Sequence, residues 1–286
     1  MRHQAFFDYA RERQGIFERR KSGQPFPWTE DSILRSFKFC NVYREDDRVT
    51  RWYAKNLRLK ELSPGDNLRC TVVFRFLNRI PSGEAIKHLL MPGKWDMEEF
   101  ERILRARVKD NIRILGSAYM IRTPLGTDKV SGLKAVLGNI MPKVDELAQK
   151  MMEYNTLEIA SALLQRYHFV GSFMAYEMVS DLRHTPVLRE ATDKMTWAHA
   201  GPGAARGVAR ILHDKGYISY IPDEKECLQV MQELLTLSKT EWPDNYAPWE
   251  MREVEHNLCE FDKYERTRLG DGTPKLRFAP NPEPLP

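Results

Sequence analysis

The chemistry-bearing residues fall into three clusters. The stretch Asn41-Val42-Tyr43-Arg44-Glu45-Asp46-Asp47-Arg48-Val49-Thr50-Arg51-Trp52 sets three acids, three arginines, an asparagine and three hydroxyl or indole groups within twelve residues. Placed on a helix, Arg44 and Arg48 share a face, and Arg48 lies one turn from Arg51. Guanidinium groups arrayed this way can grip phosphate oxygens in pairs, and Asp47 can orient them or accept a proton. The plainer reading of the same residues is a lattice of surface ion pairs with little energetic weight.

A second cluster runs from Met251 to Tyr264. One helix places Glu255, Cys259 and Asp262 on a stripe and His256, Glu260 and Lys263 on the stripe beside it, with Val254, Leu258 and Phe261 as apolar anchor. An acid on a helix anchored in this way is partly desolvated, which raises its pKa and makes it usable as a base or acid. The competing reading is an amphipathic helix stitched by ion pairs one turn apart. One histidine without an HExxH pattern gives metal ligation little support. The third cluster, Trp197-Ala198-His199-Ala200-Gly201-Pro202-Gly203-Ala204-Ala205-Arg206-Gly207, reads as helix, tight glycine turn, helix. Free amides of such a turn, beside the positive end of the next helix, hold a phosphate without any side chain, and Arg206 sits in that first turn. An ordinary helix–helix connection, with His199 packed beside Trp197, is the bland alternative.

The elements that must position these clusters are helical. Residues 5–21 carry Phe6, Tyr9, Ile16 and Phe17 at helical spacing with a basic outer face, and a helix opens near Ser32 with Thr29 or Asp31 as its N-cap. Residues 66–79 and 82–91 read as core helices, the first with strand character from Val72 and Val73, and 96–107 as a helix led by Asp96. The segment 110–132 is punctuated by Gly, Thr and Pro, and TPLGTDKVSG is expected to be a loop or small hairpin. Helices are predicted near 143–154, 156–166, 170–182, 223–239 and 249–266. With no βαβ alternation and no internal repeat, the chain is expected to be mainly α. One helical domain over 1–270, in one lobe or two, and an extended Pro-rich tail over 271–286 describe the organisation.

Of the 286 residues, 42% are hydrophobic and 29% charged, which fits a globular chain and not a disordered one. Apolar runs such as Thr71-Val72-Val73-Phe74 end after a few residues, and the N-terminus MRHQAFFDYARERQ has no apolar signal core, so no membrane partner is expected. The four cysteines, Cys40, Cys70, Cys227 and Cys259, show no CxxC spacing. Lys and Arg total 44 against 40 Asp and Glu; residues 1–60 hold 14 against 8, leaving 30 against 32 for the other 226. A basic first fifth on a near-neutral body suits a phosphate-binding face. GxxxxGK[ST], a strand-borne GxGxxG and GxSxG are all missing from the sequence.

Taken together, FFDYARERQGIFERRKSGQPFPWTEDSIL, FCNVYREDDRVTRW, FRFLNRI, GPGAARG and EVEHNLCEFDKYER resemble the DNA-glycosylase-like family of phage thymine-hypermodification proteins. That family comprises the α-glutamyl/putrescinyl-thymine pyrophosphorylases, the amino acid:DNA transferases and the helical domain attached to 5-hydroxymethyluracil DNA kinases. The resemblance covers nearly the whole chain. It implies a helix-hairpin-helix glycosylase-like fold, with GPGAARG as a degenerate hairpin that touches the DNA backbone through His199, Gly201, Gly203 and Arg206. It implies double-stranded DNA containing modified uracil as substrate, a small amine or amino acid as co-substrate, and a functional link to a 5-hydroxymethyluracil DNA kinase. The reaction it implies displaces pyrophosphate from the C5 methylene of the base. Glu255 with His256 is the closest match to the family's acid, with Asp262 and Asp47 as rivals. Arg44, Arg48, Arg51 and Lys263 would hold the pyrophosphate, Asn41 the uracil edge, and Tyr43, Trp52 and Trp197 the extruded base. No cofactor is required, Mg²⁺ entering at most with the pyrophosphate, and the setting implied is the cytoplasm of an infected bacterium. A non-catalytic DNA-binding module and a base-excising glycosylase are the competing readings.

Overall fold

Helix starts follow the capping residues. In the computed structural model, which describes residues 2–116 and 121–280, Asp31, Ser63, Asp96, Asp128, Thr156 and Asp223 each accept the first-turn amides of the helix that follows. In chain order the helices are α1 (His3–Lys21), α2 (Ser32–Ser36), α3 (Arg48–Asn56), α4 (Pro64–Leu77), α5 (Ile80–Ile86), α6 (Met97–Lys109), α7 (Lys129–Ile140), α8 (Val144–Tyr154), α9 (Leu157–Gln165), α10 (Ser172–Leu182), α11 (Pro202–Leu212), α12 (Glu224–Glu241) and α13 (Met251–Arg268). The fold is mainly α; among the described residues the one β feature is an isolated bridge between Phe37 and Arg277. Around it Lys38 N–H donates to Leu276 O and Phe278 N–H to Ser36 O, which ties the start of the C-terminal tail to the end of α2. Residues 281–286 of that tail lie outside the described residues.

Three local expectations change. Residues 64–77 are wholly helical, because Ser63 caps the first turn and Pro64 occupies the position where its missing N–H costs nothing. Nearly every residue of α4 is buried, so its apolar run carries no amphipathic period to separate helix from strand. The TPLGTDKVSG segment is not all loop: Asp128 starts α7 at Lys129. Gly132, one of the punctuating glycines, marks close packing there, since a Cβ at that position would stand 2.5 Å from Thr123 Cβ. The Gly-Pro-Gly turn does not join two helices. The helix before it ends at Leu182 and residues 197–200 are irregular, so Gly201 simply caps α11. Gly203 and Gly207, one turn apart, let α11 settle on α13. A Cβ on Gly203 would meet Cys259 Sγ at 2.4 Å, and one on Gly207 would meet the Leu258 carbonyl at 2.2 Å.

The chain divides into two compact units, one made of 1–47 with 195–286 and the other of 48–194. In the first, α13 packs against α1, α11 and α12. Its core is aromatic: Phe6 lies edge-on to Phe7, Trp249 and Phe261 at ring separations of 5.2 to 5.8 Å. In the second, α4 packs against α8 and α10. There Arg75, 1% exposed, donates from Nε and Nη2 to both carboxylate oxygens of the fully buried Asp181 and from Nη1 to Asn78 Oδ1 at 3.0 Å, and its guanidinium lies over the Tyr53 ring at 5.3 Å.

A buried ion pair is costly to break on one side and nearly neutral to replace whole. Arg75→Leu is therefore expected to destabilise the second unit by about 3–5 kcal/mol in urea unfolding, with most of the loss recovered when Asp181→Leu is added. A single variant within 1 kcal/mol of wild type would contradict this.

Candidate functional site

Between α2 and α3, residues 38–47 form no helix except the 3₁₀ turn Arg44–Asp46. The polar backbone of such a segment must be satisfied by its neighbours, and α1 and α13 supply the partners. Phe39 and Val42 are buried anchors. From α1, Arg13 donates Nε to the Cys40 carbonyl at 2.8 Å and Nη2 to Asn41 Oδ1 at 2.6 Å. From α13, Asn257 Nδ2 donates to the Val42 carbonyl at 3.1 Å, and Glu260 accepts the Cys40 N–H at 2.8 Å. His256 Nε2 lies 3.0 Å from the Asn41 carbonyl. A carbonyl can only accept, so Nε2 is the donor in this contact.

Asn41 then turns back on its own loop. Its N–H and Nδ2 both donate to Asp47 Oδ1, at 3.1 and 3.2 Å, and Nδ2 also reaches the Asp46 carbonyl at 2.9 Å. Burial pushes the Asp47 carboxyl up to about 6, overcoming the Asn41 N–H and the Arg13 and Arg44 charges that favour its ionised form. The Cys40 thiol is pushed well above its usual value, first by burial and then by the Glu260 and Asp47 carboxylates. Sγ of Cys40, a carboxylate oxygen of Asp47 and a ring nitrogen of His256 all lie within 4.8 Å of one another. A cation shared by these three atoms would need both the thiol and the carboxyl ionised, against their shifts and beside Arg13, Arg44 and Lys263. The cluster suits proton exchange better than ligation.

Asn41, Asp47 and His256, chosen from two distant stretches of sequence, thus meet at one place. Lys263 joins them through Glu260: its Nζ lies 2.6 Å from Glu260 Oε2 and 4.7 Å from the Phe39 ring centroid. Burial works to raise the Glu260 carboxyl, but Lys263 and the Cys40 N–H hold it below its ordinary value. Two other acids of α13 are committed to arginines. Glu255 is paired with Arg252, and Asp262, 1% exposed, accepts from Arg206 Nε and Arg210 Nε, each at 2.8 Å. Tyr43 is a peg within the fold: its hydroxyl donates to the Ala247 carbonyl and accepts from Trp242 Nε1 at 2.8 Å. His199 Nδ1 lies 3.2 Å from a Glu224 carboxylate oxygen, and Trp197 is half-buried ahead of α11.

The helical face expected for Arg44 and Arg48 does not form. Arg44 is buried in the 3₁₀ turn, Asp47 has extended backbone (ψ 135°), and Arg48 starts α3 in the second unit. Arg51 and Trp52 lie on α3 as well. Trp52 donates Nε1 to Glu84 at 2.6 Å and packs on Phe74 at 5.0 Å between ring centroids. Arg13, Cys40 and Glu260 are site residues that sequence reasoning did not single out. Glu260 carried a signal, sharing the His256–Lys263 stripe, and Arg13 lay on the basic face of α1. Cys40 showed none.

Residues 2–273 match the family of 5-hmdU DNA kinase helical domains, and the chain belongs to that family. A 5-hmdU DNA kinase of Bacillus phage SP10 is 26% identical over 279 residues, which cover 88% of this chain and 43% of that protein. The chain therefore spans less than half the length of this relative. No solved structure matches it significantly. Among the described residues no helix is long and apolar enough to cross a membrane.

An acid whose folded-state pKa lies above its unfolded value weakens the fold as pH rises through the interval between them. For Asp47 that interval runs from 3.8 to about 6. Asp47→Asn is therefore expected to match wild-type stability near the lower limit, to gain on it through this window, and to hold a lead of about 1–3 kcal/mol above it. Urea unfolding at a series of pH values reads this; a difference independent of pH would contradict it.

Proposed function

We propose that this chain modifies 5-hydroxymethyluracil-derived bases in phage DNA, displacing pyrophosphate from the C5 methylene with an amine. The observation that carries the reading is the meeting of Asp47, raised to about 6, with His256 on a loop fixed by Asn41 and Arg13. An amine must attack as the neutral species and shed a proton once bonded to carbon, so a carboxylate with pKa near 6 is well matched as general base. In this scheme the amine nitrogen bonds the methylene carbon, the carbon–oxygen bond to pyrophosphate breaks, the leaving oxygen keeps the electron pair, and Asp47 takes the proton. His256, its Nε2–H held by the Asn41 carbonyl, keeps its ring beside the Asp47 carboxylate and steadies the charge that forms there. Lys263, which reaches the site through Glu260, is the cation assigned to the departing pyrophosphate. Trp197 is assigned to the wall against which the extruded base rests.

The relative's name describes a kinase acting on 5-hmdU DNA. In this scheme a separate kinase supplies the pyrophosphoryl ester that the reaction consumes, and the present sequence holds no GxxxxGK[ST] of its own. The setting this assigns is the cytoplasm of the infected cell. A second reading, a helical module that presents DNA to a separate kinase without chemistry of its own, is favoured by the match to the helical domain of such enzymes.

Incubation with DNA carrying pyrophosphorylated 5-hydroxymethyluracil and a panel of amines, then digestion to nucleosides and mass spectrometry, separates the readings. A heavier thymidine with released pyrophosphate is expected; unchanged nucleosides would favour the module, and free base an excising glycosylase. The rate should rise as pH increases through about 6, as Asp47 ionises, and Asp47→Asn should lower it at least about 100-fold. A fully active Asn variant would remove Asp47 from the mechanism.

A further inference from the structure

The second unit carries a basic concavity that the proposed reaction leaves unused. A cavity of about 340 Å³ lies among α7, α8, α9 and the residues that follow α9, and Lys143, Glu146, Lys150, Arg166, Tyr167 and His168 line it. Lys150 is paired with Glu146 at 2.6 Å. Lys143 and Arg166 have no ion pair or side-chain hydrogen bond among the described residues, and Lys143 shares the field of Glu146 with Lys150, so three cations face one acid in the cavity. Two aromatic rings stand beside them. Immediately after His168, Phe169 takes φ +69°, a left-handed conformation that costs a bulky residue energy, and its side chain remains 37% exposed. The rings of His168 and Phe169 are 6.3 Å apart. Phe169 lies outside the cavity lining, so the rings offered to a ligand are those of Tyr167 and His168.

We propose that this cavity binds one nucleotide unit, with its phosphate on Lys143 and Arg166 and its base against Tyr167 and His168. Cations in excess of the acid recognise the phosphate by charge-assisted hydrogen bonds, and the flat rings accept any base by stacking. The volume falls within the range of small-ligand sites. A nucleotide within a DNA strand and a free nucleotide share this chemistry. The site lies wholly within the second unit and is independent of the displacement reaction.

The test titrates the full chain with a fluorescein-labelled oligothymidylate and, separately, with thymidine monophosphate as competitor, at several salt concentrations. Lys143→Ala combined with Arg166→Ala is expected to weaken oligonucleotide binding at least about tenfold and to reduce the slope of log K against log salt by about 0.7, the share of one phosphate on a single strand. Glu146→Gln, which removes the one acid and frees Lys150, is expected to tighten binding about two- to fivefold; a gain of that kind cannot come from unfolding. Displacement of the oligonucleotide by millimolar monophosphate identifies a free-nucleotide site, and its retention identifies a strand site. Wild-type affinity and salt slope in the double variant, for both ligands, would overturn the proposal, and so would unchanged binding by Glu146→Gln.

Discussion

A loop without secondary structure can hold an acid in one place only when something else satisfies its backbone, and here that task falls to the side chains of two helices. Arg13 from one side and Asn257, Glu260 and His256 from the other take up the Cys40, Asn41 and Val42 peptide groups. Asn41 is the node, since its carbonyl faces His256 while its amide groups face Asp47. The network has a further consequence. By burying Asp47 and giving it amide donors in place of a paired guanidinium, it leaves the carboxyl poised to exchange a proton near neutral pH.

The contrast with the rest of α13 is instructive. That helix buries Glu253, Glu255, Glu260, Asp262 and Glu265, an unusual load for one element. Glu255, Asp262 and Glu265 are matched by arginines and Glu260 by Lys263. Buried acids with such partners serve the fold. Asp262, gripped by Arg206 and Arg210 of α11, helps seat that helix where the small faces of Gly203 and Gly207 permit close approach. Residues that resemble catalytic machinery in type and spacing thus divide into scaffold and site according to what lies opposite them.

That division marks how far the sequence could be read. The apolar anchors Val254, Leu258 and Phe261 and the capping role of Asp31 were legible, because periodicity and capping are local properties. So were Asn41, Asp47 and His256 as separate candidates, though not the contact that joins them. The partners of Glu255 and Asp262 were not: Arg252 lies on the same helix, but Arg206 and Arg210 arrive from α11, and no local pattern announces a contact some fifty residues away. The hairpin reading of Gly-Pro-Gly failed for the same reason, since those glycines answer to a distant helix surface. The start of α7 was hidden by Gly132, whose absent side chain makes room for Thr123. Helix α4 is so thoroughly buried that its sequence lost the period by which helices are recognised.

The reacting centre is the claim on which the functional account turns, and a structure of the Asp47→Asn protein bound to an oligonucleotide with a pyrophosphorylated 5-hydroxymethyluracil tests it most directly. The account predicts the extruded base with its C5 methylene within hydrogen-bonding reach of position 47 and of His256. A bound base whose methylene lies away from the Asn41 loop, or one left stacked in the duplex, would contradict it.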